Sequence, residues 1–469
     1  MSKLTRRSFL LVIGTFTAIL SGLSGCASLL GWRKPNGRNI ASLSDGTEIP
    51  LDQWIDRYVR LYQTMPTKMP ASLNKSYDLQ ETKKNSHDFK KFIVHLEERI
   101  NNLPSDPILR AETKAKMYAD GHKIAGRVFD LESHEIDCLI GSGLLISIAD
   151  FYDHSRTLDP ELSSSAAFQA SRNIVTANSL QILGGISVKL NNATYAYSML
   201  YPYTDNFLDD KKTTTAMKLE FSDRFRKRLN GEFPTPSNDH EKRVFNMVTL
   251  IEGVYSRKEF PEIYSSLLTI HEMQVRSLKR QKTDLTRYFD LDELLRMSVE
   301  KGGTSVMADA FLALGHPTAE MAEFSFAYGV ALQLLDDLQD VAKDLQNGDA
   351  TLFSICAAQS KPLDEQAYKL CSFLEVVLSQ MENFKSIAPK NIQALKKAAT
   401  QGTLALIGEA VAQHQHYYSR KFIAEFETHF PMQFKLLREE GTFEHKFVKR
   451  YAREPEKTTK LMREFSEII

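Results

Sequence analysis

Residues 329–344 read Gly-Val-Ala-Leu-Gln-Leu-Leu-Asp-Asp-Leu-Gln-Asp-Val-Ala-Lys-Asp. An apolar run leads directly into aspartates, and a period of 3.6 residues per turn places Asp336, Asp340 and Asp344 on one face of a helix. Like charges at this spacing destabilise a helix by about 0.2–0.5 kcal/mol per pair, and burial adds to that cost. Because residues 328–335 are too apolar for a surface helix, we expect a cation beside these carboxylates.

A second acidic cluster lies in residues 203–210, which read Tyr-Thr-Asp-Asn-Phe-Leu-Asp-Asp. Asp205 and Asp209 are again one helical turn apart, and Asp210 follows them. Two helices that each carry such a pair could face each other across a pocket and hold a diphosphate through Mg²⁺, a cation that prefers hard oxygen ligands. A solvated acidic helix end is the alternative for each cluster. The occurrence of both clusters in one chain favours the metal site.

The rest of the sequence predicts an all-α fold, a single large helical bundle. Only 22 glycines and 16 prolines interrupt 469 residues, which favours long helices. Apolar residues recur with helical spacing, as at Phe221, Phe225 and Leu229. The 59 basic and 59 acidic residues cancel, so no general attraction to nucleic acid is expected. A core helix predicted over residues 263–278 carries His271, Glu272, Gln274 and Arg276, polar residues that are candidates to line a pocket.

The acidic motifs resemble those of the class I isoprenoid synthase superfamily, which includes polyprenyl, terpene and squalene/phytoene synthases. Residues 336–340, with Gln333 ahead of them, look like its second aspartate-rich motif. Residues 205–209 look like its first motif with asparagine at the second acidic position, and they also fit the looser form in which two aspartates are separated by three residues. Between the motifs, Lys301-Gly302-Gly303-Thr304 resembles the diphosphate-binding segment that contains a lysine. The resemblance covers roughly residues 163–353.

This resemblance implies two facing aspartate-rich helices, Mg²⁺ as cofactor and an isoprenyl diphosphate as substrate. The implied metal ligands are Asp205, Asp209, Asp210, Asp336, Asp337, Asp340 and Asp344. Among them Asp205, Asp209, Asp336 and Asp340 are the implied catalytic residues. Lys301 and Gln333 are the implied diphosphate-binding residues. Arg420, near the end of a helix predicted over residues 394–422, is a further hypothesis for diphosphate binding.

The resemblance implies ionisation of an allylic diphosphate to a carbocation inside an apolar cavity. We find neither the basic N-terminal motif nor the paired arginines with which chain-elongating enzymes bind a second diphosphate. This favours a terpene synthase-like or a squalene/phytoene synthase-like reaction. A chain-elongating polyprenyl diphosphate synthase is one alternative. A helical lipoprotein that binds a prenyl lipid without catalysis is another. A homodimer is one possible assembly, and the sequence leaves the oligomeric state open.

The chain begins with a segment that resembles a bacterial lipoprotein signal. Residues 1–26 contain basic residues, an apolar stretch from Phe9 to Leu20 and a small-residue site that ends in Cys26. Cys26 would then be lipidated and would anchor the protein to a membrane on its periplasmic or outer-surface side. The alternative is an uncleaved anchor that holds the protein on the cytoplasmic face. The sequence predicts an export signal at residues 1–26 and a tether at 27–76. N-terminal helices follow at 77–162, the catalytic core at 163–430 and peripheral C-terminal helices at 431–469.

Overall fold

The fold is all-α, as predicted. The computed structural model describes residues 40–43, 48–210, 212–278, 285, 288–440 and 451–466. In these residues the chain forms nineteen α-helices, and two short strands, Ile40–Ser42 and Glu48–Ile49, pair in antiparallel fashion. No helix among the described residues is long and apolar enough to cross a membrane. Cys26 and the signal segment lie outside the described residues, so the lipid anchor stays a prediction.

The helices are numbered in chain order. They are α1 Leu51–Thr64, α2 Leu79–Asn101, α3 Pro107–Val128, α4 Ser133–Ile140, α5 Leu144–Leu158, α6 Ser164–Leu183, α7 Asn192–Asp209, α8 Thr215–Leu229, α9 Asp239–Val254, α10 Pro261–Leu278, α11 Leu291–Leu314, α12 Ala319–Gln339, α13 Val341–Asn347, α14 Leu352–Ala358, α15 Asp364–Ser379, α16 Pro389–Gln413, α17 Arg420–Glu427, α18 Phe434–Glu440 and α19 Pro455–Ser466.

Helices α11 and α12 form the centre of the bundle. The carboxylate of Asp290 caps the start of α11, and the hydroxyl of Thr318 accepts from the backbone N–H of Met321 at the start of α12. Helix α11 ends at Leu314, and Gly315 follows it with a φ of 75°, a conformation that glycine adopts at little cost. Most side chains of both helices are buried. Helix α11 also contacts α6, α7 and α10, so the central pair organises the helices around it.

Glycines allow α11 and α12 to pack closely. A Cβ atom at Gly302 would overlap the Cβ of Gln333 and the carbonyl oxygen of Gly329. A Cβ at Gly303 would overlap the ring of Phe326. Two backbones can approach this closely only where at least one residue has no side chain. The Gly302-Gly303 pair therefore has a structural role beside Lys301, because it brings that residue next to α12.

We expect Gly302→Ala to lower the free energy of unfolding by about 1–2 kcal/mol. Overpacking costs about 1–3 kcal/mol. The better helix propensity of alanine offsets less than about 1 kcal/mol of that cost. Gly253→Ala is the matched control, since this helical glycine has open space around its Cβ position. The control is expected to stabilise the protein slightly. Urea unfolding of both variants measures the difference. Equal stability of the two variants would contradict the close packing of α11 and α12.

Helix α1 is part of the helical body. Its Trp54 and Tyr58 rings lie 5.7 and 5.8 Å from the ring of Phe326, and Tyr62 lies 5.8 Å from Phe373. All three α1 side chains are buried. The tether predicted for residues 27–76 therefore includes a helix that packs against α12 and α15. The sequence shows α1 as a short amphipathic stretch, but it does not show what covers its apolar face.

The helix predicted over residues 394–422 is interrupted in the structure. Helix α16 ends at Gln413, and His414 follows with non-helical backbone angles. The hydroxyl of Ser419 accepts from the backbone N–H of Phe422 and starts α17. Serine is a preferred residue at the N-terminal cap of a helix because its oxygen satisfies an otherwise unpaired N–H. The continuous helix was wrong because the apolar periodicity hid this local start signal.

Candidate functional site

A pocket with an empty volume of about 740 Å³, its open part included, lies among helices α6, α7, α8, α10, α11 and α12. About half of the side chains around it are apolar or aromatic, and the others are polar. The lining residues are Asn173, Tyr197, Leu200, Tyr201, Thr204, Asp205, Phe225, Leu229, Leu267, Ile270, His271, Gln274, Lys301, Ser305 and Gln333.

The polar groups of the pocket include three of the predicted site residues. Asp205 comes from α7, Lys301 from α11 and Gln333 from α12, yet all three line the same cavity. The Asp205 side chain is 2% exposed and Gln333 is 5% exposed. The side-chain amide of Gln274, on α10, donates to Oδ1 of Asp205. The structure thus brings Asp205, Lys301 and Gln333 together, whereas the predicted metal ligands Asp336, Asp337, Asp340 and Asp344 are not among the lining residues.

The second acidic motif is held against α11 through Asp337. The amide of Gln333 donates to Oδ1 of Asp337 at 2.8 Å, and the hydroxyl of Ser298 donates to Oδ2 at 2.6 Å. Burial raises the pKa of Asp337, whereas these two hydrogen bonds and the charge of Lys301 act in the opposite direction. Asp337 therefore fixes the orientation of Gln333, and its two oxygens are occupied by protein donors.

The row of aspartates continues through a one-residue break in the helix. Helix α12 ends at Gln339 and α13 begins at Val341, but the backbone N–H of Asp340 donates to the carbonyl oxygen of Asp336. The N–H of Asp344 donates in turn to the carbonyl oxygen of Asp340. The three aspartates therefore remain one turn apart. Asp336 lies one turn beyond Gln333, which places the row next to the polar end of the pocket.

The pKa of Asp344 is raised to about 9. Burial is the largest cause, and the neighbouring carboxylates add to the effect. Those neighbours are Asp337, Asp340, Asp336 and Asp349. A carboxyl group with this pKa is protonated at neutral pH. The same negative potential would attract a cation to the row, and a bound cation would favour the charged form of each carboxylate.

The pKa of Asp344 predicts a pH dependence of stability in EDTA. The unfolded chain loses this proton near its ordinary pKa of 3.8, whereas the folded chain keeps it to about 9. Between these values the folded state binds the extra proton, so the unfolding free energy falls as pH rises, by up to about 1.4 kcal/mol per pH unit.

Asp344→Asn is expected to remove this slope, so that the variant gains stability over wild type from pH 5 to 8. Denaturant unfolding at each pH tests it, with exposed Asp52→Asn as control. A constant difference across the range would contradict it.

The donor set fits Mg²⁺. Within the described ranges, no three His, Cys, Asp or Glu side chains lie close enough together to hold one ion. Mg²⁺ usually takes one or two carboxylates and completes its octahedron with water and phosphate oxygens, so it does not require such a group. Asp205 on one helix and the row beginning at Asp336 on another offer the hard oxygen ligands that this cation prefers. The protein would supply part of the coordination shell and a diphosphate would supply the rest.

Other predicted site residues lie elsewhere. Asp210 is exposed at the end of α7, where its carboxylate accepts from the N–H of Lys212 and the hydroxyl of Thr213, interactions that lower its pKa. Arg420 is exposed at the first residue of α17 and is not among the residues lining the pocket. The expectation that it reaches the diphosphate was based on the uninterrupted helix corrected above. Asp209 ends α7, and its side chain lies outside the described part of the structure.

The structure also reveals polar residues that the motifs did not identify. Asn173 lines the pocket and donates to Oδ1 of Asp309 at 2.8 Å and to the hydroxyl of Ser198 at 3.1 Å. Asp309 is fully buried, and its burial raises its pKa well above the usual range. His414 lies close enough for the charge of Asp340 to act on its pKa, which burial lowers. The sequence signal that could have identified Asp309 is an aspartate among the otherwise apolar residues 306–313. The sequence contains no such signal for His414.

Comparison of the chain with protein-family models, with curated proteins and with solved structures finds no match. The support for a function therefore comes from the residues themselves. The relevant facts are the placement of Asp205, Lys301 and Gln333 in one pocket and the acidic row that follows Gln333.

Proposed function

We propose that this protein is a Mg²⁺-dependent enzyme of the class I isoprenoid synthase type, which ionises an allylic isoprenyl diphosphate. The observation that carries the proposal is the shared pocket of Asp205, Lys301 and Gln333, which are far apart in sequence. A carboxylate, a cation and an amide at one end of an apolar cavity suit a ligand with a charged head and a hydrocarbon chain. An isoprenyl diphosphate has this chemistry.

The polar end of the pocket would bind and orient the diphosphate. Mg²⁺ ions bound at Asp205 on one helix and at Asp336 and Asp340 on the other would neutralise the charge that develops on the leaving group. Lys301 would donate to a diphosphate oxygen, a charge-assisted hydrogen bond that is stronger than a neutral one. Gln333 is oriented by its bond to Asp337, so its position is fixed before the substrate arrives.

The apolar part of the pocket would protect the carbocation from water. Leu200, Leu229, Leu267 and Ile270 offer no nucleophile. The aromatic ring of Phe225 can stabilise a nearby positive charge by about 0.5–2 kcal/mol. Tyr197 donates to the backbone carbonyl oxygen of Ser305 at 3.1 Å, which fixes its ring at the contact between α7 and α11. In this proposal the diphosphate would lie against the polar residues and the hydrocarbon chain would lie against the apolar ones.

The test is diphosphate release by the full chain, purified in detergent and supplied with geranyl, farnesyl or geranylgeranyl diphosphate. Each substrate is incubated with and without Mg²⁺ and isopentenyl diphosphate, and the products are extracted.

We expect Mg²⁺-dependent release from a single allylic substrate. A hydrocarbon would assign a terpene synthase-like reaction, and a dimeric product would assign a squalene/phytoene synthase-like reaction. Product longer than the substrate, formed with isopentenyl diphosphate, would assign chain elongation. Absence of release with every substrate would reject this enzymatic proposal in favour of lipid binding.

A further inference from the structure

His271 is a buried side chain of the pocket to which the metal site gives no role. It lies on α10, lines the cavity and is 2% exposed. Its Nε2 lies 2.8 Å from the backbone carbonyl oxygen of Ser222. A carbonyl oxygen only accepts hydrogen bonds, so Nε2 must carry the hydrogen and donate it. Burial lowers the pKa of His271 to about 4, so the ring is neutral at physiological pH and Nδ1 has a free lone pair.

This Nδ1 has no hydrogen-bond partner among the residues that the structure describes. The ring of Phe225 packs edge-on against the imidazole, with the ring centroids 4.9 Å apart, and offers no strong hydrogen-bond donor. A buried acceptor without a donor destabilises a protein, and native structures contain few of them. The basic nitrogen lies in a side chain that borders the cavity, so a ligand could provide what the protein does not.

The position of His271 along α10 lies between Gln274, which donates to Asp205, and the apolar Leu267. The same helix lines the pocket with Leu267, Ile270, His271 and Gln274. Gln274 donates to Asp205 at the polar end, His271 lies one turn before it, and Leu267 lies one turn further back. One turn corresponds to about 5 Å along the helix axis. The imidazole therefore lies between the diphosphate end and the apolar end.

We infer that His271 is the base that ends the reaction by taking a proton from the carbocation at Nδ1. The inference rests on the proposed function and adds the terminating step to it. A C–H bond next to the cationic carbon breaks, its electron pair forms the C=C bond, and the proton adds to Nδ1. The resulting imidazolium keeps its Nε2–H bond to the Ser222 carbonyl oxygen. It then passes the proton to the released diphosphate, whose oxygens bind a proton more tightly than this buried ring.

Two substitutions separate the nitrogen atoms of His271. His271→Gln can keep an N–H that reaches the Ser222 carbonyl oxygen, but it has no acceptor at the position of Nδ1. His271→Asn places an amide oxygen near the position of Nδ1 but is too short to reach Ser222. Both are incubated with the allylic diphosphate that the wild type converts. The ratio of alkene to water-quenched alcohol is measured per diphosphate released, and thermal unfolding reports whether each variant folds.

We expect His271→Gln to lower the alkene-to-alcohol ratio by about 100-fold, because a positioned base contributes at least that factor. His271→Asn is expected to lower the ratio as well, because an amide oxygen at the position of Nδ1 accepts a hydrogen bond but is far too weak a base to take the proton. A wild-type ratio in the folded Gln variant would overturn the inference and leave the proposed function intact. If the Gln variant does not fold, a wild-type ratio in the folded Asn variant would overturn the inference in the same way. Absence of metal-dependent release by the wild type would overturn both the function and the inference.

Discussion

Replacing Asp336 by asparagine is expected to reduce Mg²⁺-dependent diphosphate release by about 1,000-fold. Asp336 is 4% exposed and lies one turn beyond Gln333, at the start of the acidic row. Asparagine keeps the shape of the side chain but removes the charge that would hold the cation. The barrier to ionisation should therefore rise while the fold is maintained. Single-turnover release of diphosphate from the allylic substrate measures the effect, and circular dichroism with thermal unfolding confirms folding.

The companion variant Asp205→Asn tests the other acidic helix. A similar loss of release is expected, because Asp205 lines the pocket from another helix and would offer its carboxylate to the cation there. Asp52→Asn is the matched control, since it makes the same chemical change at an exposed position of α1 outside the pocket lining. The control should release diphosphate at the wild-type rate. Activity retained in either Asp336→Asn or Asp205→Asn would remove the metal-site interpretation of that cluster.

Replacing Lys301 by methionine is expected to raise the KM for the allylic diphosphate by about 10- to 100-fold, which corresponds to the loss of one charge-assisted hydrogen bond. Methionine retains a long apolar side chain of similar length, so packing beside Gly302 should be preserved. The affinity for Mg²⁺ alone should change less than the KM. Steady-state kinetics across substrate concentration and a Mg²⁺ titration separate the two quantities.

The control for this variant is Lys258→Met, at an exposed position outside the pocket lining. It is expected to leave the KM unchanged. An unchanged KM in Lys301→Met would mean that Lys301 serves the contact between α11 and α12 and not the substrate. A large fall in Mg²⁺ affinity with little change in KM would equally contradict diphosphate binding by this residue.

The sequence predicts the parts of this molecule that depend on local patterns. Helical periodicity and the scarcity of strand patterns predict the all-α fold, and the structure confirms it. The core helix predicted over residues 263–278 appears as Pro261–Leu278, and both His271 and Gln274 line the pocket as suggested. The acidic row was also readable, because carboxylates at a spacing of four residues beside an apolar helix are conspicuous.

Other features depend on contacts that join distant parts of the chain. The bond between Asn173 and Asp309 connects two helices whose sequences contain no shared motif. The burial of α1 depends on Phe326 and Phe373, which no local pattern relates to Trp54 or Tyr62. The continuous helix predicted over residues 394–422 was wrong because the start of α17 depends on a single capping residue, and diphosphate binding by Arg420 stays a prediction. Local spacing identifies which residues share a face, but the tertiary packing decides what that face contacts.

The close packing of α11 and α12 has a consequence for how this protein can change during evolution. The groups at the polar end, Lys301 and Gln333, lie on backbones held together by glycines that tolerate little change. The apolar wall comes from other helices, through residues such as Leu200, Leu229 and Leu267. Substitutions in that wall can alter the size and shape of the cavity without moving the polar end. Under the proposed function, the preferred length of the hydrocarbon chain could therefore diverge between descendants of this protein while the chemistry at the charged head is inherited unchanged.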